Sequence, residues 1–474
     1  APAGGFWKST DNGSTWTEYS SGLVRLGVSS IVIHPTTPNT IYIATGDRDG
    51  GDAPGYGVWR STDGGVTWAS RNNGMGNRTV YEVLMHPTNP DILIAATSGG
   101  RIYRSTNGGA NWAYDYVGTN CRDIAFHPSN PDIVYGGGGD FVRSTDNGVS
   151  FATVTSGVPN ASRIAIGVSA DEPNWVYLLG GDGNGLVDLV RSTDSGLNFN
   201  SRLSTPNILG WDFDGSDVGS QAWYDLVMAV NPTDADEIYT GGINIWKSTD
   251  GGSTMSLSGH WVGSGGADDV HADHHAMEFS PHNGNVYNGN DGGAYYSSDD
   301  GTTWTDISSG LAIAQVYKIG ISQTVEDLAI NGYQDNGTAV SEGTAFRTEI
   351  GGDGMECIID PTDESYMYGS LYYGAIRRST NNGLSFGNIV GGISEEGGWV
   401  TPFKLDPGNA SRMYAGFDNV WRTDNVKAGT VAWTSLSSFG GTNNCVDLAI
   451  APSDNNVMYV SRSSGEFYRT GNAQ

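Results

Sequence analysis

Ser61–Trp68 reads STDGGVTW and follows the apolar run Val58-Trp59-Arg60. The same Ser-x-Asp/Asn-x-Gly-x-x-aromatic pattern stands at Ser9 (STDNGSTW), Ser105 (STNGGANW), Ser144 (STDNGVSF) and Ser192 (STDSGLNF). It returns at Ser248 (STDGGSTM, with Met255 in the aromatic place), Ser297 (SSDDGTTW) and Ser379 (STNNGLSF). Successive Asp or Asn positions lie 52, 44, 39, 48, 56, 49 and 82 residues apart. A repeat of that length built from short strands predicts a β-propeller, because a lone four-stranded unit cannot bury both its faces. Inside each copy the carboxylate or amide is expected to accept backbone N–H groups of its own turn. Glycine supplies the turn dihedral, and the aromatic packs back between blades. These aspartates are therefore read as turn formers and not as catalytic groups.

A second repeat interleaves with the first: an apolar strand, a proline-bearing turn and another strand. It is clearest at Ser29 (SSIVIHPTTPNTIYIATG), Tyr81 (YEVLMHPTNPDILIAATS) and Arg122 (RDIAFHPSNPDIVYGGG), with weaker copies near Arg163, Tyr224, His274, Tyr317, Met355, Val400 and Val446. The histidines of these turns, His34, His86 and His127, read as structural. Ten such units predict an all-β chain forming one propeller domain over residues 1–474, with ten four-stranded blades. The long gap before Ser379 is read as a unit whose box has degenerated (INGYQDNGTAV). The N-terminal hairpin, residues 1–20, is expected to complete the last blade by pairing with the C-terminal strands, which would leave no exposed edge. The strand-like piece at 465–470 has no evident place in that scheme.

Glycine supplies 70 of 474 residues, which suits many short strands joined by tight turns. A net charge of −28 argues against nucleic acid or an anionic membrane as partner. No apolar run is long enough to span a bilayer. The chain enters a strand at once, so a signal peptide is expected to have been removed, and the protein is read as secreted or cell-surface. Cys121, Cys357 and Cys445 each open an apolar run and are expected to be free buried thiols.

The box resembles the Asp-box, or bacterial neuraminidase repeat, and the ten units resemble the ten-bladed propeller of the sortilin type. The segments GSQAWYDLVMAVNPTDADEIYTGGINIWKSTDGG, VHADHHAMEF, GNDGGAYYSSDDGTTW, GYQDNGT and GGDGMECIIDP look like landmarks of secreted sortilin-like repeat proteins common in Bacteroidetes. That resemblance implies a glycosidase-like label and further domains in a longer secreted precursor.

Turns between strands A and B and between C and D share one face of a propeller, and the B–C and D–A loops share the other. The boxes thus mark one face, and the irregular loops of the opposite face are where a ligand is expected. Five of the eight histidines lie between His260 and His282. In an extended strand His271, Asp273 and His275 would share a side and offer a partial site for Zn²⁺ or another divalent metal, with a polar cluster at the channel mouth as the other reading. Asp47, Asp49 and Asp52, and Asp212, Asp214 and Asp217, alternate around glycine and are candidates for Ca²⁺ or for solvated acidic loops. Ligand-binding candidates are Trp223, Tyr224, Asp225, His271, Asp273, His274, Asp291, Gln334, Asp335, Asn336, Asp353, Glu356, Tyr373 and Trp399. Their aromatic, acidic and amide groups suit an extracellular glycan or peptide. Sialidase chemistry lacks its arginine segment here. Xyloglucan-type hydrolases with Asp-boxes use two seven-bladed propellers, more than ten units supply. The expected function is therefore a secreted binding module, with a glycoside hydrolase or polysaccharide lyase as the alternative.

Overall fold

The computed structural model describes residues 4–51, 53–343 and 345–474. Strands dominate, and the one helical element among the described residues is the 3-10 turn Tyr372–Gly374. No helix is long and apolar enough to cross a membrane. The chain divides into two compact units, Ala1–Ile313 and Ala314–Gln474.

The first unit holds six antiparallel sheets, each with strands A to D in chain order, over residues 28–70, 80–117, 123–154, 163–203, 227–269 and 274–306. The fifth sheet adds a short strand, Asp268–Asp269, parallel to Ser256–His260. The strands B Ile41–Thr45 and Leu93–Thr97 are fully buried. Tyrosines of strands B reach across to the next sheet: the Tyr42 hydroxyl donates to the Gly108 carbonyl at 3.0 Å and that of Tyr177 to Ala235 at 2.9 Å. Strands A of all six sheets frame a cavity of about 780 Å³. Acidic side chains stitch these strands together, Glu82 accepting from the Ile124 amide and Asp123 from the Ile166 amide, both at 2.7 Å.

Each box is the clip its sequence predicts. Ser61 Oγ donates to Asp63 Oδ1 at 2.8 Å and accepts from the Gly65 amide at 2.8 Å. Asp63 accepts from the Thr67 amide at 2.9 Å and its hydroxyl at 2.6 Å, bonds that hold its carboxyl down to about 2. Gly65, at φ 101°, lies against the Phe6 ring with no room for a Cβ. The box tryptophan then binds the preceding sheet: Trp68 Nε1 donates to the Tyr19 carbonyl and Trp112 Nε1 to that of Arg71, both at 2.7 Å. Ser61 is buried and also accepts the Asp63 amide at 3.3 Å. Ser61→Ala is expected to lower unfolding free energy by about 1–2 kcal/mol while leaving ligand turnover intact, as denaturant titration and an activity assay would read.

That tryptophan rule locates the N-terminal hairpin. Trp7–Lys8 pairs with Thr17–Glu18 alone, and Trp16 Nε1 donates to the Ile307 carbonyl, just past the last strand of the sixth sheet, at 2.7 Å. On its other side Phe6 packs edge-on against Trp68 at 5.2 Å. The hairpin therefore stands between the sixth and first sheets of its own unit. The expectation that it extends the last blade is corrected accordingly.

The second unit has sheets over residues 315–350, 357–388 and 403–435, and a three-stranded sheet over 445–470. Phe467–Thr470 is the third strand of that last sheet, paired with Met458–Arg462, which places the segment the sequence left unassigned. The run INGYQDNGTAV is not a degenerate box. Leu328–Gln334 and Gly337–Glu342 pair directly, and Asp335, at φ 56°, turns the chain between strands B and C. All three cysteines are free and buried, and burial pushes the thiols up to about 12 for Cys121 and Cys357 and about 11 for Cys445. His86 Nδ1 accepts the Thr88 and Asn89 amides, and His127 repeats the motif with Ser129 and Asn130, so these histidines are turn formers.

Candidate functional site

Strand C starts at the B–C loop and ends at the box, so the B–C and D–A loops of the first unit gather opposite the boxes. Four of them converge: the 46–57 loop, the 204–226 segment, the 270–273 segment and the Asp291-Gly292 turn. Arg163, at the start of a strand A, is 5% exposed and meets Asp49 Oδ1 at 2.8 Å. It also donates to the Tyr224 carbonyl at 2.8 Å, fixing the 221–226 segment. Asp49 Oδ2 contacts His275 Nδ1 at 3.0 Å, and Arg48 donates to the His275 carbonyl at 2.7 Å. Burial disfavours the charged form of Asp49, but Arg48 and Arg163 outweigh it and hold the carboxyl well below the usual range.

His275 Nε2 contacts Asp291 Oδ1 at 3.1 Å, and the Tyr224 hydroxyl donates to Asp291 Oδ2 at 2.6 Å. The Tyr224 ring stands edge-on to His275 at 4.7 Å. These bonds overcome burial and keep Asp291 ionised below the ordinary carboxylate range. On the other side Gln221 Nε2 donates to Asp273 Oδ1 at 2.9 Å. Asp225, 1% exposed, is near enough to Asp273 for its charge to act, and burial together with that neighbour raises its carboxyl well above the ordinary range. Burial and the Asp291 charge raise Asp273 in turn. Oxygens of Asp273 and Asp291 lie within 4.8 Å of each other. Two carboxyls raised in pKa thus lie beside one that is lowered.

The alternation expected of His271, Asp273 and His275 is absent. Strand A begins only at His274, and Asp273 has φ 64°, which rotates its side chain out of an extended pattern. His271 packs over Gly292, where a Cβ would stand 2.3 Å from its ring. His274 is fully buried, bonded through Nδ1 to Asn288 at 2.8 Å, and pushed by burial down to about 3, so it is a neutral core group. Both nitrogens of His275 face carboxylates, so this trio does not fit a metal. Asp47 caps its own turn, accepting the Asp49 and Gly50 amides, and Asp52 lies outside the described residues. Asp214 accepts the Ser216 amide, Asp217 the Trp211 amide, and Asp212 the Ser216 hydroxyl, so this loop also spends its carboxylates on its own turns. Trp223 is 56% exposed beside Tyr224, with ring centroids 5.4 Å apart.

In the second unit, Asp353 Oδ1 accepts the Asp335 amide at 2.8 Å, and Asn336 bonds back to Gln334. Glu356, 4% exposed, is paired with Lys404 at 3.0 Å. Tyr373 and Trp399 are exposed. The sequence reading missed Arg163 and Gln221 and read Asp49 as a calcium candidate or a solvated acid. A buried arginine opening an inner strand, in a chain with only 24 basic residues, was the available signal.

His275 ties the cluster to stability. Burial alone would lower its pKa, but the hydrogen bonds and charges of Asp291 and Asp49 raise it to about 9. A native value above the unfolded ~6.5 gives stabilisation that is complete below that pH and lost as pH climbs through 9. The melting temperature is expected to fall between about pH 7 and 10, and to fall less in His275→Gln. Equal alkaline slopes for the two proteins would contradict the pairing.

Residues 56–140 match the family model described as sortilin, neurotensin receptor 3 (Sortilin-Vps10). A xyloglucanase from a Paenibacillus species is 26% identical over 287 residues, 51% of this chain and 27% of that protein. The chain therefore spans about a quarter of that relative's length. The GH74 xyloglucanase from Xanthomonas campestris superposes with a TM-score of 0.69 at 14% identity, over 100% of this chain and 76% of its own. An ancestral GH74 enzyme gives 0.68 at 15%, over 99% and 74%. The protein has a β-propeller fold, with a sortilin-like segment at residues 56–140.

Proposed function

We propose that the protein is a glycoside hydrolase acting on a neutral polysaccharide, with its reacting groups at the loop face of the first unit. The observation that carries this reading is the opposed pair: Asp273, raised by burial and by the Asp291 charge, within 4.8 Å of Asp291, which Tyr224 and His275 hold below the ordinary range. Glycosidic cleavage needs one carboxyl that donates a proton to the leaving oxygen and one that acts as base or nucleophile. Environments that drive two neighbouring carboxyls apart in pKa assign those roles. Asp273 delivers the proton, resupplied by Asp225, and Asp291 is the base or nucleophile. Exposed Trp223 offers a sugar ring a flat apolar face next to Tyr224.

This revises the expectation of a binding module. The Paenibacillus relative and two solved neighbours of like fold are named for xyloglucan or GH74 chemistry, which supports the hydrolase alternative and a carbohydrate in place of a peptide. Such a polysaccharide would be met outside the cell. Asp291 must be ionised and Asp273 protonated, so the rate is expected to peak on the acid side of neutrality. The test is chromatography of products after incubation with xyloglucan, mixed-linkage β-glucan and mannan. Oligosaccharide release from one of them supports the reading; intact polymer in all three overturns it.

A further inference from the structure

The second unit carries an exposed group of aromatic rings that packing does not explain. Tyr372 and Trp399 stack with centroids 5.2 Å apart and planes 6° from parallel. Tyr373 stands edge-on to both, 5.5 Å from each. All three remain open to solvent, at 40%, 47% and 44% for Tyr372, Tyr373 and Trp399. Tyr372 and Trp399 thus meet face to face while both residues stay exposed.

The backbone is strained to make this arrangement. Tyr373 sits at φ 58°, ψ 25°, a left-handed conformation unfavourable for a bulky side chain. Gly374 behind it presses on the buried Phe417 ring, where a Cβ would stand 2.4 Å away, so the turn cannot relax inward. The Tyr373 carbonyl accepts the Gly397 amide at 3.1 Å, drawing the 390–402 segment and its Trp399 alongside. Trp399 Nε1 donates to the Tyr317 hydroxyl at 3.2 Å, which sets its plane. Strain that turns a large apolar ring toward water, where it gains no burial, points to a ligand.

We infer that Tyr372, Tyr373 and Trp399 form a binding platform for a neutral glycan chain. Sugar rings have apolar C–H faces that lie on aromatic faces, while their hydroxyls stay hydrated. The chain carries a net charge of −28, so an anionic polysaccharide would be repelled. The platform rests on the glycan reading of the protein but not on the Asp273–Asp291 pair.

Affinity electrophoresis of the full chain through gels containing xyloglucan or polygalacturonate tests it. Asp291→Asn serves as the background so that the polymer is not cut. Xyloglucan is expected to retard this protein and polygalacturonate to leave it unaffected. Trp399→Ala and Tyr373→Gly should each weaken xyloglucan binding by ~10-fold. Tyr373→Gly should also melt at a higher temperature, because glycine relieves the left-handed strain. Retardation unchanged in both variants, equal retardation by polygalacturonate, no retardation by xyloglucan, or a lower melting temperature for Tyr373→Gly would each overturn the platform. The two claims separate in the unaltered chain: retardation by xyloglucan with no release of oligosaccharide keeps the platform and overturns the Asp273–Asp291 reading, whereas release of oligosaccharide with no retardation does the reverse.

Discussion

Asp273→Asn is expected to lower kcat on polysaccharide by ~10²–10⁴, the range for loss of a general acid. The effect should depend on the leaving group. An alcohol leaving from a sugar chain needs a proton as the glycosidic bond breaks, whereas a nitrophenolate departs without one. An aryl glycoside should therefore lose far less activity than the polysaccharide. Asparagine keeps the size of the side chain and can still bond Gln221, so the fold should persist. Asp225→Asn should act more weakly and mainly on the pH profile: it touches no substrate and acts through Asp273, whose proton it supplies. Measuring kcat on both substrate types for both variants checks this. Equal losses on polymer and aryl glycoside would remove Asp273 from the acid role.

Arg163→Met carries the largest expected cost in stability. Arg163 and Asp49 are both buried at the loop face, and removing the guanidinium leaves a carboxylate away from water with less compensation. Breaking a buried pair in this way costs about 3–5 kcal/mol. The substitution also releases the Tyr224 carbonyl, so turnover should fall together with stability. The double variant Arg163→Met, Asp49→Leu should recover part of the loss, since replacing both members of such a pair with apolar groups is often near neutral. Urea titration of the single and double variants reads both effects. A loss below about 1 kcal/mol for the single variant would show that Arg48 and His275 alone balance Asp49.

Much of the local structure was legible because it is written in contiguous residues. The box needs only its own serine, aspartate, glycine and aromatic, so eight copies announced the strand C to strand D turns and the propeller class. What the box tryptophan binds is a carbonyl in another sheet, and that partner is not in the repeat. Trp16 looks like Trp68 in sequence, yet its acceptor at Ile307 is what seats the hairpin. The candidate site was half legible for the same reason. Tyr224, Asp225, Asp273 and Asp291 stood out as polar groups in irregular loops. The idea that His271, Asp273 and His275 share a side assumed a regular strand, and the positive φ of Asp273 breaks it. Asp47 and Asp49 look alike in an acidic loop. One closes its own turn, and the other crosses to Arg163 and His275, more than a hundred residues away in each case.

The most direct test of the central claim is one preparation of Asp291→Asn assayed twice, for binding of xyloglucan oligosaccharides by calorimetry and for their cleavage by chromatography. Asparagine can still accept from Tyr224 and meet His275 but cannot serve as base or nucleophile. The account predicts binding within a few-fold of the unaltered protein and cleavage reduced by at least ~10³. Cleavage at a rate close to that of the unaltered protein would contradict it and move the reacting carboxylate elsewhere.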